Sequence, residues 1–213
     1  MCKKFTIYGE RCSGTNYLEQ MIKTNFNISV TWDYGWKHFF GFYNFIESAE
    51  EDNTLFICIV RNPFDWINSF FKSQHHLIHT DNFEEFVKRQ IVSLNDSTII
   101  EEDKNYLTGK YYNNIFELRF YKNYYLLNIL PKKVKNYIFI RYEDLLNDHI
   151  NVMSNIQEIF NLSLKNEQIT NVSYYKSIKN SLFSKKKYTM SLYKKILLIK
   201  NLNKKQECKL KYI

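Results

Sequence analysis

Between residues 9 and 16 the chain reads Gly9-Glu10-Arg11-Cys12-Ser13-Gly14-Thr15-Asn16. Its glycines have the spacing of a phosphate loop, G-x-x-x-x-G-K-[ST], but Thr15-Asn16 stands where the Lys-Ser/Thr pair belongs. Backbone N–H groups of such a loop, with the helix N-terminus that follows, can still hold an anion. The lysine for a γ-phosphate and the usual Mg²⁺ position are missing, which weighs against ATP chemistry. About forty-five residues later comes Arg61-Asn62-Pro63-Phe64-Asp65, with Ser69 eight positions after the arginine. Positions about seven apart on a helix share a face, so the guanidinium fork of Arg61 and the hydroxyl of Ser69 can meet one phosphate. Singly, each segment has a plain reading. The first is a strand–turn–helix junction with Ser13 or Thr15 as cap; the second is an Arg61–Asp65 pair beside an ordinary helical serine. Together they suit a nucleotide with phosphates at both ends.

Trp36-Lys37-His38-Phe39 lies between them, His38 being 23 residues before Arg61. An imidazole is available in neutral form near pH 7 as a general base, and Lys37 can face developing negative charge. A half-buried histidine beside aromatics is the alternative. Glu10 is a rival base. His75, His76 and His79 are too loosely spaced for a metal site. Cys2, Cys12, Cys58 and Cys208 form no Cys-x-x-Cys or zinc-ligand pattern, so no metal is expected and a reducing compartment is favoured. Arg119, among Phe116, Phe120 and Tyr121, either faces the cleft or snorkels to water. Arg141, Glu143 and Asp144 read as a turn with an ion pair.

The elements that must position these groups alternate. Phe5–Tyr8 and Leu55–Val60 read as strands, the second a continuous apolar run of the buried parallel kind. Thr15 to about Phe26 reads as a helix, and Pro63 opens another, proline being favoured in a first turn. Further helices are expected over Phe83–Leu94, Tyr112–Leu130 and Val152–Phe160, with a strand over Tyr137–Ile140. This pattern implies an α/β, three-layer P-loop-like domain with a mostly parallel central sheet flanked by helices. Its crevice belongs at the carboxyl ends of the strands, where both anion motifs fall. The 213 residues suit one domain (residues 1–213, best supported over 5–160, with a basic segment at 181–213). Net charge +8 suits an anionic ligand without naming it. No signal peptide or membrane-length apolar run is seen, so a soluble, cytoplasmic protein is expected.

The ordered set Ser13-Gly14-Thr15-Asn16, Arg61-Asn62-Pro63-Phe64-Asp65 with Ser69, and Tyr137-Ile138-Phe139-Ile140-Arg141-Tyr142-Glu143-Asp144 resembles the sulfotransferases that use 3′-phosphoadenosine 5′-phosphosulfate (PAPS). The resemblance implies sulfuryl transfer to a hydroxyl or amine of a small-molecule or carbohydrate acceptor, with release of adenosine 3′,5′-bisphosphate. It implies that Ser13, Gly14, Thr15 and Asn16 contact the 5′ side, with Arg11 and Cys12 in the same loop. Arg61 and Ser69 would hold the 3′-phosphate, Tyr17 would lie against adenine unless it packs in the core, and Lys37 and His38 would do the chemistry. The family's basic residue directly before Ser-Gly-Thr is replaced by Cys12, with Arg11 one place further back. Its basic C-terminal clamp has no clear match, Lys185-Lys186-Lys187 being the nearest. A P-loop kinase or NTPase, and a basic nucleic-acid-binding module built on the Lys-rich stretch from Lys185 to Lys211, are the competing readings. No recognised nucleic-acid motif accompanies the latter.

Overall fold

The computed structural model describes residues 2–42, 53–174 and 189–213. In chain order its elements are β1 (Lys4–Tyr8), α1 (Thr15–Asn25), β2 (Ser29–Val30), β3 (Thr54–Val60), α2 (Pro63–Ser73), α3 (Phe83–Lys88), β4 (Leu94–Asn95), β5 (Thr98–Ile99) and α4 (Ile115–Tyr124). There follow β6 (Asn136–Arg141), α5 (Tyr142–Asn147), α6 (His149–Phe160), α7 (Leu192–Asn201) and α8 (Lys204–Lys209). Four strands form a parallel sheet in the order β2-β1-β3-β6, and β4 and β5 form a separate antiparallel hairpin.

Every residue of β3 is buried, and its period-two alternation feeds two different cores. Leu55, Ile57 and Ile59 pack with Leu18, Met21 and Ile22 of α1 and Met153 and Ile156 of α6. Phe56, Cys58 and Val60 pack on the opposite face with Tyr125, Leu126 and Leu130, which follow α4. The sheet is thus covered on both sides, as a parallel sheet must be. A third cluster joins Trp66, Ile67 and Phe70 of α2 to α3, α4 and α7. Each large apolar side chain fully buried in these cores contributes about 1.5–3 kcal/mol of transfer free energy.

The register brings the site together. Tyr8 of β1 pairs with Cys58 of β3, and Val60 of β3 with Arg141 of β6. The loops after these strands therefore leave from one end of the sheet. α1 carries the chain to β2 on one side of β1, whereas β3 lies on the other, so the crevice falls where strand order reverses.

Several boundaries differ from the sequence expectation. The helix expected over 83–94 stops at Lys88, because Arg89 turns extended and Ile91 bridges to Tyr112. That same bridge delays α4 to Ile115, where Asn114 caps it through the N–H groups of Phe116 and Glu117. α4 then runs into a π-helical turn at Tyr125–Ile129. α5 was not expected, nor was the helical form of the lysine-rich end as α7 and α8. Lys185, Lys186 and Lys187 lie outside the described residues. Among the described residues no helix is long and apolar enough to cross a membrane.

Candidate active site

The first loop is stitched to the second motif through its carbonyl groups. Trp66 Nε1 donates to Arg11 O at 2.8 Å, and Arg61 Nη1 donates to Cys12 O at 3.0 Å. Ser13 closes the turn on Glu10 O with both its N–H and its hydroxyl. Cys12 adopts the left-handed region, with φ 64°, which turns its carbonyl outward to Arg61. The loop's own N–H groups are partly spent as well, Gly9 on Lys37 O, Arg11 on Glu10 Oε1 and Ser13 on Glu10 O, so amide donors for a ligand come chiefly from the first turn of α1. Gly14 is the N-cap of α1 and offers it no side chain, so the helix keeps orphan donors suited to an oxyanion. Most other helices here are capped by Asn, Asp or Ser, as Asn62 caps α2.

Gly14 needs to be glycine twice over. Its φ is +96°, and a Cβ there would stand 2.3 Å from the Tyr142 ring. The Arg61 guanidinium lies 4.7 Å from the centroid of that same ring, a cation–π distance. The Tyr142-Glu143-Asp144 segment thus packs against both anion motifs. Glu143 accepts the Asn62 N–H at 2.8 Å and the Tyr212 hydroxyl at 2.7 Å. Arg141 pairs with Asp144 as the sequence reading anticipated, but the stretch opens helix α5 instead of forming a turn. Ser69 and Ser73 lie within hydrogen-bonding reach of the Cys12 thiol, whose pKa burial pushes up.

The third segment joins the loop from the other side. The Gly9 N–H donates to Lys37 O at 3.0 Å, and His38 Nδ1 donates to Gly9 O at 2.7 Å. That bond fixes the tautomer, leaving the neutral ring's lone pair on Nε2. Burial pushes the His38 pKa down to about 3, against the pull of the Glu10 carboxylate, so the ring is neutral near pH 7. Lys37 is buried and its ammonium donates to Asn16 Oδ1 at 2.6 Å and to Glu19 Oε2 at 3.1 Å. A cation therefore lies on the first turn of α1.

Other expected residues are placed differently. Arg11 does not reach into the loop. It is buried at 1% exposure and bonds Glu10, Ser93 and Asp103, because the loop's backbone directs its side chain beneath α2 onto the Phe70 ring. Glu10 is no free base: burial would raise its carboxyl, but Arg11 and Lys122 overcome this and hold it at about 2. Tyr17 packs in the core between α1 and the sheet, and its hydroxyl donates to Asn171 Oδ1. Arg119 does not snorkel to water; it forms a buried two-pronged pair with Glu207, at 2.6 and 2.8 Å, donates to Arg61 O, and lines a small cavity with Ser13 and Arg61. Among the described residues no cluster of three His, Cys, Asp or Glu is placed to hold a metal ion.

A sequence model of the family described as sulfotransferase domain matches residues 37–209. The chain belongs to this family. The matched stretch includes Lys37, His38, Arg61 and Ser69, while the Gly9–Asn16 loop precedes it. No curated protein matches the chain. Among solved structures, it is similar to the crystal structure of mouse sulfotransferase SULT7A1 complexed with PAP, at 16% identity and a TM-score of 0.43. That match covers 77% of this chain and 60% of the mouse chain, so the sulfotransferase-family chain spans less than two thirds of that relative's length.

Proposed function

We propose that the protein transfers a sulfuryl group from PAPS to a hydroxyl or amine of a small acceptor, releasing adenosine 3′,5′-bisphosphate. The observation that carries this reading is the contact between two anion-binding junctions, Arg61 Nη1 on Cys12 O, at the ends of adjacent parallel strands. Family membership supports it.

The loop and α1 amides hold the 5′ end of the donor, and Arg61 and Ser69 take the 3′-phosphate. The cradle fits such a ligand, since α1 has no side-chain cap of its own. The acceptor oxygen forms its bond to sulfur as the bond from sulfur to the 5′-phosphate oxygen breaks, and that oxygen leaves with the electron pair. The acceptor proton passes to His38 Nε2, and the Lys37 ammonium on Asn16 faces the charge growing on the transferring oxygens. Tyr17 is left out of the donor site, and Arg11 acts beneath the loop rather than in it.

Thermal shift with adenosine 3′,5′-bisphosphate, ATP–Mg²⁺ and an oligonucleotide tests the reading. The bisphosphate alone raises Tm, and Arg61→Ala weakens its binding by about tenfold or more, the worth of a charged hydrogen bond. A shift with ATP–Mg²⁺ only, or with the oligonucleotide only, overturns it.

A further inference from the structure

We propose that Lys122 is a positioning residue for His38, its ammonium clamping the His38 carbonyl while the Gly9 carbonyl holds the ring. This rests on His38 being the base.

Lys122 comes from α4, 84 residues from His38. Its ammonium has three N–H bonds and meets three acceptors: His38 O, Glu10 Oε2 at 2.8 Å and Asp103 Oδ1 at 2.5 Å. One hydrogen bond and two ion-pair contacts hold the group in place. The two carboxylates are fixed in turn. Asp103, at 0% exposure, also accepts from Arg11 Nη2 at 3.0 Å and from the Ser93 hydroxyl, and Glu10 accepts from Arg11 Nε at 2.7 Å. Two cations and two anions thus form a neutral, dry cluster between the phosphate loop, the segment after β5, and α4. The rings of Phe39, Phe40 and Tyr112 enclose the ammonium at 5.3–5.9 Å.

Lys122 is 2% exposed and its ammonium is enclosed by two carboxylates and a carbonyl, so it does not reach a substrate. Stability is a poor reason for such a cluster, because buried ion pairs are often replaceable by apolar residues at no loss. What an apolar replacement cannot supply is the donor on His38 O. With the main chain held there and Nδ1 held by Gly9, Nε2 has a single direction.

The charged and titratable groups around His38 are Glu10 and Arg11 of the loop, Lys37 beside it, Lys122 of α4 with Asp103 behind it, and His76 across Phe39. Removing the Lys122 charge leaves Glu10 and Asp103 opposed by Arg11 alone, which raises the proton affinity of His38. The acid limb of kcat therefore moves to higher pH.

The test compares Lys122→Met with Lys122→Gln in the full chain, using labelled PAPS and whichever phenol, amine or sugar turns over fastest in the unaltered protein. Methionine removes donor and charge; glutamine removes the charge and keeps a donor. Bisphosphate binding should stay within about threefold in both, while kcat falls about 100-fold in the methionine variant, the scale of a misplaced catalytic group. Glutamine should recover most of that loss, and both variants should shift the acid limb upward. An unchanged kcat for Lys122→Met overturns the proposal, as does equal loss in both variants with parallel loss of bisphosphate binding. Should the methionine variant not fold, Asp103→Asn, which loosens the clamp without removing it, must lower kcat and spare bisphosphate binding; full activity there also overturns it. His38→Gln is measured alongside. If it retains turnover, the base assignment fails and the clamp's role falls with it; if it is inactive while Lys122→Met is fully active, the clamp alone fails.

Discussion

Gly14 carries three demands in one residue: a left-handed backbone, an uncapped helix start and a flat surface for Tyr142. Alanine at φ +96° costs about 1–2 kcal/mol in backbone strain alone, and its methyl must displace the ring that also faces Arg61. Gly14→Ala is expected to lower Tm by several degrees and to weaken bisphosphate binding further than strain explains, because both anion motifs move. Isothermal titration beside a thermal melt separates the two effects; normal affinity in a destabilised variant would count against the convergence on Tyr142. At this scale the sequence was informative where chemistry is local. The loop and the Arg-Asn-Pro turn each follow a strand directly, and the Lys37-His38 pair, seven and eight residues after β2, meets the loop through Gly9. Lys122, Asp103 and Glu207 went unseen, because the partners that tie them to the loop, to His38 and to Arg119 lie 84 to 112 residues away and nothing local in their surroundings marks them.

The elements that hold the second motif come from the far end of the chain. Glu207 of α8 grips Arg119, which donates to Arg61 O, and Tyr212 reaches Glu143, which accepts from Asn62 N–H. Two relays from the last ten residues therefore brace the Arg61-Asn62 turn. Glu207→Gln leaves a buried arginine short of its counter-charge, a change costing about 3–5 kcal/mol. Tyr212→Phe is the milder probe, and it should weaken bisphosphate binding a few-fold with Tm nearly unchanged. A ligand titration of Tyr212→Phe that matches the unaltered protein would show that the relay through Glu143 is idle. The lysine-rich composition of this end disguised it in sequence: its helices α7 and α8 show lysines outward, while Leu198, Leu202, Gln206 and Glu207 turn inward. Helix α3 ended early for the opposite reason, a tertiary bridge from Ile91 to Tyr112 overriding a helical pattern.

Across the whole molecule, acid is the stress to which this design is most exposed. His38 is held near 3 against 6.5 for an ordinary histidine, and Glu10 near 2 against 4.5. In both cases the unfolded chain binds the proton at higher pH than the folded one, so stability falls as pH drops. For His38 the loss runs from about pH 6.5 down to 3, and for Glu10 from about 4.5 down to 2. Denaturant unfolding measured from pH 7 to 4 should show stability declining throughout, and His38→Gln should flatten the upper part of that decline. A slope unchanged by the substitution would mean that His38 titrates normally in the folded state. The sheet and its two covering layers were legible from alternation of strands and helices. The ionic cluster beneath the loop was not, because it is assembled only when the segments around residues 10, 38, 103 and 122 have all docked.

The loop's outward carbonyl groups also bear on how quickly a ligand is accepted. Gly9, Glu10, Arg11 and Cys12 each have their oxygen engaged before any donor arrives. Ordering a free loop residue costs about 1–2 kcal/mol in backbone entropy, and here that cost is met during folding. On the proposed function, association with the nucleotide needs no closing motion of these residues, and the cradle meets its ligand as a rigid mould.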